Sequence, residues 1–454
     1  MILNVPKKLI DLAEKADFPL YVVGGAVRDA IAELPSSQDW DVCAPVSAEK
    51  FSAAAQNCGL DINGVYKNTG TVNLTDGTFK IEFTSFRTDT YRRGEHAPKS
   101  IRFTNDIRAD ALRRDFKCNA VYYDIRKGEI VDPLGGAAEA RARSISTTRD
   151  ADEVFSEDGL RLMRLARQAA QLGFTPTLEC IFGAKFNAAL ISKISAERIY
   201  TELTQILHAD GKYGRRYAHY EGLKILESTD VLAYILPELA AGKGVAQRSD
   251  FHNYDVLEHS FRACRYADDR VRLAALLHDA AKPAVYAAEG NFHGHDVLGE
   301  TLVRQILTRL KAPKRETELT AELTALHMYD LDGRAKEGKI RAFIVNHYDV
   351  YEQLLLLKQA DYSGCKDDLS PCPTLQKWEK IRKTMQEEGV PFTLKDLAVN
   401  GGDLKGIVLD RKIGETLNAL LIFCAYDGKK NAKERLIREA VRIVNENNGG
   451  KTKK

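Results

Sequence analysis

Asp39 and Asp41 stand one residue apart in Asp39-Trp-Asp-Val-Cys43, ten residues after Gly24-Gly25-Ala26-Val27-Arg28-Asp29. On a strand the period of two points both carboxylates to one face. Two such neighbours repel unless a divalent cation neutralises them, and hard oxygen ligands beside phosphate suit Mg²⁺. Two glycines that end a strand and open a helix bare the backbone N–H groups at that helix start. This is a phosphate site, with Gly25 in the turn and Arg28 adding a charged fork. A Gly-Gly turn alone is only a turn, and an Asp-x-Asp pair alone is ordinary surface. Both together, in this order, point to nucleotidyl transfer.

A second group is Arg113-Arg114-Asp115-Phe116-Lys117-Cys118-Asn119-Ala120, placed directly before a strand. Adjacent arginines point in different directions, so one can pair with Asp115 or Asp110 while the other faces a ligand; a plain surface ion pair is the competing reading. A third group is Ser156-Glu-Asp-Gly-Leu-Arg-Leu-Met-Arg-Leu-Ala-Arg167. Ser156 is its expected N-cap, and Asp158, Arg161, Arg164 and Arg167 recur every three residues on one drifting polar face. An Asp acceptor beside an Arg donor matches the amino donor and ring-nitrogen acceptor of cytosine and adenine. Guanine and uracil present the reverse pattern, so such a pair admits C and A and rejects G and U. Standing alone, the segment reads as an exposed salt-bridged helix.

These groups need elements to hold them. Short strands are expected at 19–23, 39–43, 72–75, 79–83 and 120–124, with 128–132 closing a hairpin, and a helix at 48–58. From about residue 156 almost every segment has 3.6-residue periodicity, as in 159–172, 196–208, 271–278, 299–310 and 433–444, and no strand is expected after 150. The fold class is therefore α+β, a mixed-sheet head followed by an elongated helical remainder. At 454 residues the chain is long enough for about three domains of roughly 150 residues. Linkers are expected at 240–246 and 364–373. No apolar run spans a membrane, and there is no signal core at the start. Eight scattered cysteines without a Cys-x-x-Cys pair argue for reduced thiols and a cytoplasmic protein. The net charge of +2 is uninformative, but residues 86–117 carry nine Lys/Arg against five Asp/Glu, and residues 427–454 nine against four. Two separated basic stretches can hold a polyanion along its length, although solvated surface helices have the same composition.

In this order the three groups resemble the bacterial and eukaryotic type of CCA-adding tRNA nucleotidyltransferase and its poly(A) polymerase relatives. Val131-Asp-Pro-Leu-Gly-Gly136 and Ser195-Ala-Glu-Arg-Ile199 extend the resemblance, which covers roughly residues 15–230. It implies a polymerase-beta-like head in which Asp39 and Asp41 hold catalytic Mg²⁺, while Gly25 and Arg28 hold the triphosphate. Arg114 would contact the nucleotide. Asp158 and Arg161 would read the base edge, supported by Arg164 and Arg167. Glu82, in Lys80-Ile-Glu-Phe-Thr, is a weak candidate for a third carboxylate. The chain departs from the family at Gly159, where proline is usual; glycine is expected to loosen that helix start. The basic stretch 86–103 looks like the family's flexible loop, associated with moving from C to A addition.

Further on, His259, His278-Asp279 and Asp361 resemble the His…His-Asp…Asp pattern of the HD phosphohydrolase superfamily. Imidazoles with carboxylates suit Mn²⁺, Ni²⁺, Co²⁺ or Zn²⁺ with bound water as nucleophile. His293, His295 and His327 resemble further positions of this segment, which is a scaffold in many CCA enzymes.

The resemblance divides the chain into a catalytic head at 1–148, a base-recognising neck and body at 149–240, an HD domain at 247–365 and a basic, tRNA-binding tail at 366–454. It implies CTP, ATP and the tRNA 3′ end as partners. The competing readings are a poly(A) polymerase or A-only enzyme, and an HD phosphohydrolase with an RNA-binding N-terminal half.

Overall fold

A computed structural model describes residues 3–35 and 39–449, with side chains to 446, so the end of the basic tail at 450–454 lies outside the described residues. The chain forms two compact units, Met1–Ala241 with Thr308–Ala312, and Gly242–Leu307 with Pro313–Lys454.

The first unit is built on a seven-stranded mixed sheet. Its strands are β1 (Tyr21–Val23), β2 (Asp39–Ala44), β3 (Asp61–Tyr66), β4 (Thr71–Thr75) and β5 (Lys80–Ser85), then β8 (Tyr122–Asp124) and β9 (Glu129–Val131). Between them, β6 (Arg87–Thr90) and β7 (Ser100–Phe103) pair as a separate antiparallel ribbon. The order across the sheet is β3-β4-β5-β2-β1-β8-β9, and only β2 and β5 run parallel. The alternation along β2 and β5 explains what the sheet does. Trp40, Val42, Ile81 and Phe83 are buried, while Asp39, Asp41, Lys80 and Glu82 stand on the open face. Phe83 stacks on Phe51 of the helix Ala48–Asn57 at 3.7 Å between ring centroids. Burying each such ring stabilises the fold by about 1.5–3 kcal/mol, and it leaves the acidic face free for chemistry.

Helices complete the first unit, among them Ala151–Glu157, Leu160–Leu172, Leu178–Phe186 and Ala196–Leu207. The α+β class is as expected. Four local expectations change. Strand β3 carries little apolar signal, with only Ile62 and Gly64 even half-buried, and the periodicity misses it. The 86–103 stretch carries a two-stranded ribbon at its ends, Arg87–Thr90 paired with Ser100–Phe103, with the loop expected there confined to 91–99. A two-residue strand, Thr175–Pro176, does follow residue 150, pairing with Ser144–Ile145. Ser156 lies inside the helix Ala151–Glu157, so it is no N-cap. The next helix starts at Leu160, whose N–H donates to Asp158 Oδ1 at 2.9 Å.

The second unit is helical. Its apolar core runs from Ala263 through Tyr351 and Trp378 to Ala440. The HD segment and the tail thus share one core, and 247–365 and 366–454 pack as one body. The helix Tyr351–Lys366 runs into the linker expected at 364–373 and shortens it. None of the described helices is long and apolar enough to cross a membrane.

Candidate active site

Register brings the carboxylates together. Asp41 of β2 lies opposite Glu82 of β5, and Asp39 lies opposite Lys80. In a parallel pair, residues in register share a face, so Glu82 joins Asp41 and Asp39 on the open side of the sheet. The crowding of protein around Asp41 raises its carboxyl to about 6; Arg114 and Arg164 oppose that rise, while Glu82 and Asp39 add to it. Glycine is required at the end of β1. Gly24 has φ +80, and a Cβ there would come within 3.1 Å of Asp41 Oδ2. Three carboxylates on one sheet face, a close backbone approach and an upward-shifted acid fit a divalent cation held by oxygen.

The two arginines of the second motif share one partner. Arg113 Nε donates to Asp110 Oδ1 at 2.8 Å, and Arg114 Nη2 donates to Asp110 Oδ2 at 3.1 Å. Asp115 instead accepts from Arg164 Nε and Nη2 at 2.8 and 2.6 Å. Against its burial, that guanidinium holds the Asp115 carboxyl down to about 2. Arg164 is thereby aimed from the helix Leu160–Leu172 into the neighbourhood of Asp41.

Arg28 is not a free fork. It is 6% exposed, and its guanidinium donates to Asp29 Oδ1 at 2.9 and 2.7 Å, to Asn119 Oδ1 at 2.6 Å and to the Tyr213 hydroxyl at 3.2 Å. Asn119 donates in turn to Gln168 Oε1 at 2.7 Å and to Asp115 Oδ1 at 3.3 Å. One buried network therefore ties the first motif to the second and to the third-motif helix. Asn119 and Tyr213 are the working residues that sequence reasoning missed; no spacing rule points to a Tyr 185 positions from Arg28. Asp132 fastens the same place, accepting the N–H groups of Gly136 and Ala137 at 2.9 Å each. A Cβ on Gly136 would lie 1.9 Å from the Lys117 carbonyl, so only glycine lets that helix seat beside the Asn119 turn.

The pair expected to read the base is also engaged. Asp158 and Arg161 are buried. Arg161 donates to the carbonyls of Val154 and Arg113 and to Glu157 Oε2, each at 2.9 Å. Asp158 Oδ2 lies 2.9 Å from His96 Nδ1. Arg167 reaches Glu202 at 2.7 Å, so it braces the helix against Ala196–Leu207. Gly159 does not loosen the helix start. A Cβ there would meet the Leu190 carbonyl at 2.7 Å, so the glycine admits a tight contact.

In the second unit, four histidines and two aspartates converge. His259 Nε2 lies 3.1 Å from Asp361 Oδ1 and 3.3 Å from Asp279 Oδ2, and His278 Nε2 lies 3.3 Å from Asp279 Oδ2. On the other side of the same carboxylate, Asp279 Oδ1 lies 3.2 Å from His295 Nε2 and 3.7 Å from His327 Nε2. His278, His295 and His327 each turn Nδ1 to a backbone carbonyl three residues earlier, at 2.9, 2.7 and 2.6 Å. Those bonds have Nδ1 donating and turn Nε2 toward the aspartates. Facing Nε2 atoms sit 3.2 Å apart in the pairs His259–His278 and His295–His327, close enough to share a proton that a bound cation would replace. The donor set fits a nitrogen-preferring metal. Asp279, His295, His327 and Asp361 open into a cavity of ≈ 1220 Å³, walled by Lys282, with Tyr286 stacked on Phe292. His293 lines the cavity but belongs to neither ligand cluster.

Comparison with known proteins assigns families to these segments. Residues 20–146 match the poly A polymerase head domain, residues 173–243 the probable RNA and SrmB-binding site of polymerase A, and residues 250–354 the HD domain. The chain is 30% identical over 423 residues to an A-adding tRNA nucleotidyltransferase of Deinococcus radiodurans, covering 88% of this chain and 90% of that one. It is 32% identical over 372 residues to a multifunctional CCA protein of Hahella chejuensis, covering 76% and 82%. The fold is similar to that of the Bacillus stearothermophilus CCA-adding enzyme solved in complex with CTP, with TM-score 0.67, 23% identity and 97% of each chain covered. With its acidic strand pair, three-motif network and HD cluster, the chain belongs to the family of CCA-adding tRNA nucleotidyltransferases and poly(A) polymerases.

Proposed function

We propose that this protein adds C, C and A to the tRNA 3′ end in the cytoplasm, using CTP and ATP without a nucleic-acid template. The observation that carries the reading is the Asp39–Asp41–Glu82 face set in register on β2 and β5. Those carboxylates would hold Mg²⁺, which when bound activates the attacking hydroxyl and neutralises charge on the leaving pyrophosphate. Arg114 and Arg164, aimed by Asp110 and Asp115, supply the positive charge beside Asp41 that a triphosphate requires. Gly24 and Gly25 bring the backbone close to the same face, and Arg28 acts through Asn119 by bracing the three motifs. Asp158 and Arg161 select the base edge, with Arg164 and Arg167 holding their helix in place.

The test offers purified protein tRNAs ending before CCA, at C and at CC, with each nucleotide alone. Full CCA addition requires C on the first two and A on the third. A only on the third substrate would identify an A-adding enzyme, and long A tracts a poly(A) polymerase.

Two predictions bear on specificity. Asp158→Ala should weaken CTP and ATP use by roughly tenfold or more, the cost of a lost hydrogen bond to a charged group. It should also relax rejection of UTP and GTP. Unchanged base selectivity would make this helix start purely structural. Separately, shortening residues 89–99 should leave kcat for C addition near wild type and lower kcat for the final A. If both steps fell together, the ribbon would serve only to hold the head.

The Asp279 arrangement favours a second activity in the other unit. One carboxylate oxygen of Asp279 faces His259 and His278 and the other faces His295 and His327, so these residues, with Asp361, would hold transition-metal ions there. Ni²⁺, Mn²⁺ or Co²⁺ would support hydrolysis of a phosphodiester there, independently of nucleotide addition.

A further inference from the structure

The tip of the β6–β7 ribbon is docked on the start of the helix Leu160–Leu172 by contacts from four directions. The Gly94 N–H donates to the Ser156 carbonyl at 2.6 Å, and the Gly159 N–H donates back to the Gly94 carbonyl at 3.3 Å. Gly94 has φ +78, and a Cβ there would crowd Leu190 at 3.1 Å, so the tip lies flush against its seat. Lys193 Nζ donates to the Arg93 carbonyl at 2.6 Å. The Arg161 guanidinium lies over the Tyr91 ring at 5.4 Å. Within this seat His96 Nδ1 meets Asp158 Oδ2 at 2.9 Å. The other oxygen, Oδ1, already accepts the Leu160 N–H that starts the helix. The oxygen not engaged by the helix start is the one that His96 meets.

We propose that the ribbon tip is a built-in occupant of the base-reading site, with His96 standing where the exocyclic amino group of cytosine or adenine binds. This rests on the reading of Asp158 as the base acceptor. Its consequence follows from competition. A cytosine or adenine amino group replaces the His96 N–H one for one, and no buried acceptor is stranded. Every nucleotide competes with the same docked tip, so the tip raises the apparent dissociation constant of all of them by one common factor. Discrimination between C or A and U or G stays with Asp158, which a carbonyl edge would leave without a donor. His96 thus sets how much nucleotide is needed, not which one is chosen.

The test is equilibrium binding of CTP and of ATP to the full chain with Mg²⁺, followed by steady-state kinetics on tRNAs lacking CCA and ending at CC. His96→Ala should tighten both nucleotides by the same factor, roughly tenfold for one lost hydrogen bond to a carboxylate. KM should fall in parallel, with kcat no lower and rejection of UTP unchanged. His96→Gln, whose amide N–H can still donate to Asp158, should stay near wild type. Unchanged or weaker binding by His96→Ala would overturn the proposal, as would shifts that differ between CTP and ATP, since a residue touching the base would show that difference. The Asp158→Ala variant separates the failures. If it keeps wild-type selectivity, Asp158 is not the base acceptor and the occupant falls with it. If it loses selectivity while His96→Ala binds like wild type, only the occupant falls.

Discussion

Asp41→Ala is expected to lower nucleotide addition on the order of 10³-fold or more while tRNA binding stays within a few-fold of wild type. The magnitude follows from a cation site that supplies several kcal/mol of transition-state stabilisation, at about 1.4 kcal/mol per tenfold. Asp41 is the best-placed ligand because the register sets it between Asp39 on its own strand and Glu82 on β5, with Gly24 at its oxygen. Loss of activity through unfolding would look the same in a rate assay, and the pKa of Asp41 separates the two. Its carboxyl is raised to about 6, so the ionised form is strained in the metal-free fold above that pH, and the strain fades as pH falls through about 6. Alanine removes that strain. The variant should therefore melt no lower than wild type at pH 8 without added metal. A lower melting temperature with lost activity would assign Asp41 to the fold, and wild-type turnover would remove it from the site. Glu82→Gln, measured beside it, shows whether the third carboxylate of the face is also a ligand.

The acidic pair was legible because its signal is local: two carboxylates at strand period with alternating apolar neighbours fix face and element together. Glu82 was weak in the sequence because its role comes from the parallel pairing of β2 with β5, and no local pattern encodes which strands become neighbours. The same limit hid the Arg28–Asn119–Asp115–Arg164 chain. Each of these residues sat in a recognised motif, but motif order says nothing about which side chains face each other. Arg28 read as a phosphate ligand because a basic residue one turn into a helix ordinarily points outward, and here Asn119 and Tyr213 bury it. Ser156 read as a cap because its type and the acids after it fit one. The structure places the break two residues later, where Asp158 serves the Leu160 N–H and glycine admits Leu190. In the second unit the pattern His, His-Asp, Asp was visible, whereas the role of His295 and His327 came only from their convergence on the far oxygen of Asp279.

That convergence yields the second large effect. With Ni²⁺, Mn²⁺ or Co²⁺ added, the wild-type protein is expected to hydrolyse a 2′,3′-cyclic phosphate, and His278→Ala should reduce this by at least about a hundredfold, the loss of a metal ligand exceeding the 10–100-fold typical of its supporting partners. CCA addition should survive in the same variant, because the cluster lies in the second unit and the acidic strand pair in the first. The donor chemistry also differs, nitrogen-rich around Asp279 and all-oxygen on the sheet face, so Mg²⁺ alone should support addition but little hydrolysis. The two sides of Asp279 make a finer demand. His327→Ala removes a ligand only from the Oδ1 side, so metal analysis should find one ion retained where wild type holds two. A scaffold role predicts otherwise: no turnover with any of the three metals, no bound ion in wild type, and a lower melting temperature on removing His278 as the only consequence. Retention of both ions in His327→Ala would remove His327 from the ligands while leaving a hydrolytic site at His259, His278 and Asp361. Absence of hydrolysis in every metal, with no ion bound, would remove the second activity altogether.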